Sequence, residues 1–146
     1  MSKETAFLAG LLHDIGRLVV FQGIHAMQRR GPERNTVPDH TIQEFTDALH
    51  CRIGQTLCEA WSIPATLADA IARHHQLSLS GPGDVLTAVA QIADLMADKI
   101  GASLHPDPNV KLLDKPAFHL LQLDDVKVSG ILVDLEDERD RMMPVF

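Results

Sequence analysis

The side chains of this chain that could do chemistry are histidines and aspartates at short spacings. His13 and Asp14 are adjacent, His74 and His75 are adjacent, and His50 lies between the two pairs. Imidazole and carboxylate groups together suit Mn, Fe or Zn, and Mg is a less favourable fourth option because it prefers oxygen ligands. The residue types therefore indicate a divalent-metal site, provided that the fold brings these positions together.

Asp14 points with the apolar stripe of its predicted helix. At 3.6 residues per turn it lies about 20° from Phe7 and about 40° from Leu18. An unpaired buried carboxylate is very costly, so Asp14 requires a cation, a metal ion or strong hydrogen-bond donors. Arg17, three residues on, is the simplest such partner. His13 points about 100° away, toward small residues that leave room for a neighbouring helix or an ion.

His50, His74 and His75 also lie on apolar stripes of predicted helices. His50 is about 20° from Trp61 around one helix, and His74 is about 20° from Leu67 around the next. Each has a simpler explanation by itself, because a core histidine can bond a backbone carbonyl and a helix C-terminus favours histidine cations. Folding does not require three helices to turn imidazole or carboxylate groups inward. The joint pattern therefore favours a shared site.

Asp94 lies off the apolar stripe of a later predicted helix, next to Ala90 and Ala97. A solvated position and a position that faces a packed helix are both compatible with this pattern.

The dominant 3.6-residue period predicts an all-α chain, and no segment shows a convincing strand pattern. Residues 1–146 are predicted as one domain, close to the average length of about 150 residues. Glycines and prolines predict a short helical piece and then a loop over 22–40. Helices are expected over about 3–21, 41–61, 64–75, 85–101, 116–122 and 124–142.

The apolar stripes of these helices are predicted to face the core. They include Leu11 and Leu18 in the first helix, Phe45, Leu49 and Trp61 in the second, and Ile92 and Met96 in the helix over 85–101. Gly101 is predicted to stop that last helix.

Composition and charge exclude several classes of protein. Hydrophobic residues make up 45% and charged residues 23% of the chain, as in soluble globular proteins. The formal net charge of −7 argues against a nucleic-acid partner. A membrane-spanning helix needs about 18 apolar residues in a row, and no run in this chain approaches that length. The apolar segment 6–12 is not followed by a signal-peptide cleavage site. We therefore expect a cytoplasmic protein with no membrane partner.

Cys51 and Cys58 agree with a reducing compartment. Seven residues on one helix rise about 10.5 Å, whereas a disulfide needs Cα atoms within about 7 Å. Two buried thiols are expected.

The segment from Ala9 to Leu18, AGLLHDIGRL, resembles the signature of the HD superfamily, metal-dependent phosphohydrolases named for a His-Asp doublet. Later residues are similar to its HDOD branch, the HD-related output domains of bacterial signalling proteins, often attached to response-regulator receivers. The resemblance spans about residues 5–141 and includes Glu44, Phe45, His50, Ile53, Gly54, Leu57, Trp61, Ile63, Pro64, Ala70, Ile71, His74, His75, Ala93 and Asp94.

The resemblance implies a fold, a set of ligands and a chemistry. The fold would be an HD-domain-like bundle of six to seven helices. The metal ligands would be His13 and Asp14 from the doublet, Asp94 from a later helix, and His50, His74 and His75 as in the HD-GYP phosphodiesterases. Asp14 and Arg17 would be the catalytic residues. The metal would bind a phosphate and generate the attacking hydroxide.

Three departures from the family pattern bear on activity. HD enzymes have one more histidine on a helix before the doublet, and none of the 12 residues before His13 is a histidine. The chain is therefore expected to represent the C-terminal part of the family domain. Arg17 stands where lysine is usual and differs from it in geometry. No Gly-Tyr-Pro follows His74 and His75, and the chain contains no tyrosine.

Three functional hypotheses follow. The first is a bacterial signal-transduction module that contacts a receiver domain or another signalling protein, with homo-oligomers as a further option. The second is a metal-dependent phosphohydrolase acting on a nucleotide or phosphodiester. The third is a helical scaffold whose core histidines are satisfied by hydrogen bonds. We favour the first because it accounts for the departures, although fold by itself never settles function.

Overall fold

The structure is a computed structural model and describes residues 1–30 and 37–142. Within these ranges there is no strand, which confirms the all-α prediction. The helices are α1 (Lys3–Leu12), α2 (Ile15–Arg30), α3 (Asp39–Ala60), α4 (Ala65–Arg73), α5 (Val85–Ile100), α6 (Pro116–Leu120) and α7 (Asp125–Met142), with 3₁₀ turns at Pro82–Asp84 and Leu112–Asp114.

The chain divides into two compact units, Met1–His74 and His75–Phe146. Helices α1 to α4 belong to the first unit, and α5 to α7 belong to the second. The assignment of residues 1–146 to a single domain stays a prediction.

A turn at His13 and Asp14 divides the first predicted helix in two. The His13 side chain bonds the carbonyl of Gly10 at 2.7 Å, and the backbone N–H of Arg17 donates to the carbonyl of Asp14 at 2.9 Å. One hydrogen bond thus satisfies a carbonyl near the end of α1, and the other satisfies a backbone N–H near the start of α2. The result is a corner between α1 and α2 with the His-Asp doublet at its apex.

The short helical piece predicted at the start of residues 22–40 is the end of α2, which continues to Arg30. Residues 24–30 contain no glycine or proline and include good helix formers such as Ala26, Met27 and Gln28. Gly23 costs about 1 kcal/mol within a helix, which the rest of α2 tolerates. Residues 31–36 of the predicted loop lie outside the described residues.

The backbones of α2 and α3 touch at Gly16. A Cβ atom placed on Gly16 would lie 2.0 Å from the carbonyl oxygen of His50 and 2.8 Å from the backbone nitrogen of Gly54. On Gly54 itself, a Cβ would lie 3.0 Å from Cγ2 of Ile71 in α4. Glycine at both positions therefore permits the close approach that brings the doublet next to His50.

The buried stripe of α3 is polar and small. It consists of Thr46, His50, Gly54 and Cys58, four residues apart. Phe45, Leu49 and Trp61, which the apolar pattern predicted as core, are 53%, 40% and 54% exposed. That prediction is wrong because large side chains cannot fit where the backbones of α2 and α3 touch.

The same reversal holds in α1 and α2. Leu11 and Leu18 were predicted to face the core, and they are 61% and 58% exposed. Ala9, Gly16 and Arg17 are buried instead. Several large apolar residues of α1 and α2 thus lie on the surface, whereas Val20 of α2 and Leu67 and Ile71 of α4 are buried.

The second unit follows its sequence pattern. Ile92 and Met96 of α5 are buried, as predicted, and pack with Phe118 of α6. Val128 of α7 joins the same cluster. Gly101, at a φ of 75°, ends α5 in the left-handed conformation that favours glycine.

The helical stretch Lys3–Arg29 is long and apolar enough to cross a membrane by length and composition, with 22% of the relevant window buried. A single such stretch near the N-terminus is weak evidence, because core helices and signal sequences have the same character. A window is judged by its mean hydropathy, whereas an uninterrupted apolar run contains no charged residue. Asp14 and Arg17 interrupt the stretch, so its uninterrupted apolar runs are shorter.

We expect Gly16→Ala to lower the free energy of unfolding by about 2–3 kcal/mol, the upper part of the range for overpacked cores. The added methyl group would meet backbone atoms rather than a flexible side chain. Urea denaturation would measure the change.

Gly23→Ala on the same helix is the matched control. A Cβ at Gly23 meets nothing within 4 Å, so helix propensity should leave stability unchanged or raise it by up to about 1 kcal/mol. Equal losses in the two variants would contradict the proposed backbone contact.

Candidate metal centre

Three elements of the first unit place four predicted site residues together. The turn between α1 and α2 supplies His13 and Asp14, α3 supplies His50, and His74 follows the end of α4. The ring centroids of His13 and His50 lie 5.2 and 5.4 Å from that of His74. His50 and His74 have 1% and 0% of their surface exposed.

One oxygen of Asp14 faces an arginine. Nε of Arg17 lies 2.8 Å from Oδ2, and Nη1 of the same guanidinium lies 2.8 Å from Oδ1 of Asp47. Nε2 of His13 is 3.7 Å from the same Asp14 oxygen. Arg17 is buried and thus links the doublet to α3.

The pKa of Arg17 is raised above its ordinary value. Burial acts to lower the pKa, and the pairing with Asp14 and then with Asp47 outweighs that effect. The guanidinium is therefore charged at every pH at which the protein is folded.

The other oxygen of Asp14 faces two imidazoles. Oδ1 lies 3.5 Å from Nε2 of His50 and 3.8 Å from Nε2 of His74. This oxygen is buried and accepts no hydrogen bond within the described residues. These separations are too long for hydrogen bonds of ordinary strength.

The three histidines of the cluster are oriented by backbone carbonyls. Nδ1 of His13, His50 and His74 lies 2.7, 2.9 and 2.7 Å from the carbonyl oxygens of Gly10, Thr46 and Ile71. A carbonyl only accepts, so each Nδ1 carries the proton and donates it. In the neutral rings Nε2 then carries the lone pair. Metal-binding histidines have the same arrangement, with the other ring nitrogen donating to a carbonyl or carboxylate.

Acceptor atoms therefore converge at Oδ1 of Asp14. Lone pairs on His50 and His74 face a carboxylate oxygen, and Nε2 of His50 also lies 3.2 Å from Sγ of Cys51. A cation or a bound proton among these atoms makes the arrangement favourable. Metal bonds of about 2.0–2.2 Å at tetrahedral angles place neighbouring N and O ligands about 3.4 Å apart. The observed separations of 3.5 and 3.8 Å fit a divalent ion after a small contraction.

His75 and Asp94 belong to the second unit. There, Nδ1 of His75 lies 3.7 Å from Oδ2 of Asp94, with the two side chains 46% and 16% exposed. Asp94 therefore faces a neighbouring residue of its own unit. That all six residues bind metal together stays a prediction.

The family comparison bears directly on the first unit. The model of the HDOD domain matches residues 1–77. The chain belongs to the HDOD family. No curated protein and no solved structure matches it significantly.

The HDOD match ends close to the boundary of the first unit at His74. It contains His13, Asp14, Arg17, His50 and His74, together with His75. Our broader resemblance over residues 5–141 is therefore shown for its first half. The predicted role of Asp94 as a metal ligand depends on the part of the resemblance beyond residue 77, and it stays a prediction.

Sequence reasoning missed two residues of this HDOD site. Asp47 shares Arg17 with Asp14, and Sγ of Cys51 lies 3.2 Å from Nε2 of His50. Asp47 and His50 are three residues apart on α3, a spacing that could have drawn attention to Asp47. Cys51 was considered only as a possible disulfide partner.

We expect Arg17→Met to lower the free energy of unfolding by about 1–3 kcal/mol, because it leaves a partly buried carboxylate without its cation. Arg73→Met is the control. Arg73 pairs with Asp69 on the surface of α4, and such pairs contribute about 0.5 kcal/mol. Urea denaturation of both variants measures the difference, and equal losses would contradict a structural role for Arg17.

Proposed function

We propose that this HDOD chain is a regulatory module of bacterial signal transduction that acts in the cytoplasm through protein contacts. The observation that carries the proposal is the distribution of apolar residues on α2 and α3. The buried stripe of α3 is polar and small, while Phe45, Leu49 and Leu18 are 53%, 40% and 58% exposed. Large exposed apolar surfaces on soluble proteins mark interaction sites.

Part of this surface forms a groove. A cavity of about 470 Å³ is bounded by α2, α3 and Val37, and its lining is Val19, Val20, Gly23, Ile24, Met27, Val37, Phe45, Leu49 and Ile53. Met27 is 73% exposed at this groove, and its flexible thioether can adapt to different apolar partners. The occupant that fits this shape is the apolar face of a helix from a signalling partner, such as a receiver domain.

The pairing of Asp14 also favours regulation over hydrolysis. Arg17 already neutralises one oxygen of the carboxylate that would hold a catalytic ion. A catalytic site needs protein ligands and an open position for water. Arg17 lies beside Oδ2 of Asp14, so this oxygen and its negative charge are already paired and the position is not open to an ion or a water molecule.

Photo-crosslinking tests the proposed contact. Benzoylphenylalanine in place of Phe45, produced in the source bacterium, should crosslink to a discrete signalling protein that mass spectrometry identifies and that rebinds when purified. Met27→Glu should abolish the crosslink, since it places a charge in the groove.

The same label at Asp69 is the control, because Asp69 is exposed on α4 and does not line the groove. Crosslinks only to the chain's own polypeptide would assign the groove to self-association or to further helices of the same domain. That result, or an equal yield from Asp69, would contradict a contact with a signalling partner.

The convergent acceptors at Asp14 favour a second candidate, a metal-dependent phosphohydrolase. We expect no hydrolysis of bis-p-nitrophenyl phosphate above the buffer blank when Mn²⁺ is added to the purified protein without a histidine tag. Turnover that requires Mn²⁺ and is lost in Asp14→Asn would establish hydrolysis as the function of the site at Asp14.

A further inference from the structure

We propose that Cys51 is a metal ligand and that the first unit contains a thiolate site for a zinc-class divalent ion. The ligands are Sγ of Cys51, Nε2 of His50, Nε2 of His74 and Oδ1 of Asp14. The resemblance to HD proteins implied histidine and aspartate ligands only. The thiolate is a feature of this chain and changes which metal the site selects.

The positions of the atoms support the assignment. Sγ of Cys51 lies 3.2 Å from Nε2 of His50, and that nitrogen lies 3.5 Å from Oδ1 of Asp14. One ring nitrogen of each of the two histidines and Sγ of Cys51 lie within 4.8 Å of one another. Zn–S and Zn–N bonds of about 2.3 and 2.0 Å at a tetrahedral angle separate S from N by about 3.5 Å. The separations of 3.2 and 3.5 Å around Nε2 of His50 agree with this spacing.

The charges also support a cation at this position. Oδ1 of Asp14 is buried without a hydrogen bond among the described residues, and the Nδ1 protons of His50 and His74 are used by carbonyls. Binding releases the thiol proton of Cys51 to solvent. The thiolate and the carboxylates of Asp14 and Asp47, less the one positive charge of Arg17, then balance the two charges of the ion.

Asp14 uses a different oxygen for each of its neighbours. Oδ2 faces Arg17 and His13, whereas Oδ1 faces His50 and His74. His13 is therefore outside the proposed ligand set. In this respect the set differs from the one that the HD signature implies.

Four protein ligands make a closed site. Closed tetrahedral sites with cysteine and histidine ligands are typical of structural zinc, whereas catalytic zinc keeps a position for water. A thiolate also favours Zn²⁺ and Co²⁺ over the harder Mn²⁺ and Mg²⁺. The ion would hold α3, the end of α4 and the His-Asp turn together.

Cobalt spectroscopy tests the thiolate directly. Co²⁺ added to the purified reduced protein without a histidine tag should bind one to one and give a near-ultraviolet sulfur-to-cobalt charge-transfer band. Cys51→Ser should abolish that band and weaken Zn²⁺ binding by at least about tenfold, measured by competition with a chelating dye.

Cys58→Ala is the matched control. Cys58 lies on the same buried stripe of α3, and burial raises the pKa of its thiol, which makes it a poor ligand. This variant should keep the band, and so should His13→Ala. Circular dichroism should show that all variants are folded.

Several results would overturn the thiolate site. They are a Co²⁺ complex without the charge-transfer band, a band that survives in Cys51→Ser, or failure of the folded wild-type protein to bind Co²⁺. A band lost in His13→Ala but kept in Cys51→Ser would assign the ion to the HD doublet instead. The cobalt titration and the crosslinking report separately, since a metal site and a docking groove do not require each other.

Discussion

The contact between the backbones of α2 and α3 at Gly16 is the constraint on which the first unit depends. A side chain at this position would occupy the space of the His50 carbonyl. The contact therefore sets the distance between the His-Asp turn and α3. It brings Asp14 within reach of His50 and Arg17 within reach of Asp47. It also determines which stripe of α3 is buried.

The two units differ in how well their sequence pattern predicts them. In the second unit, Ile92, Met96 and Phe118 are buried, because hydrophobic burial is its main driving force. In the first unit the same reasoning identified the helices but chose the wrong faces of α1, α2 and α3. The period of an apolar stripe does not reveal where two glycines allow backbones to touch. A break after Leu12 was also not visible, since the helical period continues through His13 and Asp14.

The candidate site was easier to predict than the packing around it. His13, Asp14, His50 and His74 could be selected because polar groups on a predicted core face require partners. The places of Asp47 and Cys51 in the site were not predicted, because they depend on which side of α3 faces the other helices. Arg17 illustrates the limit most clearly. Its charge was evident from the sequence, but its simultaneous contact with two carboxylates required the fold.

The buried stripe of α3 has a thermodynamic consequence. Thr46, His50, Gly54 and Cys58 remove little apolar area from water, so this seam contributes little hydrophobic stabilisation compared with a leucine-rich one. The folded state of such a seam depends more strongly on whatever binds to it or beside it. A ligand at 100 times its dissociation constant adds about 2.7 kcal/mol by mass action. The melting temperature of the first unit is therefore expected to rise with the concentration of its partners, so that thermal unfolding reports occupancy.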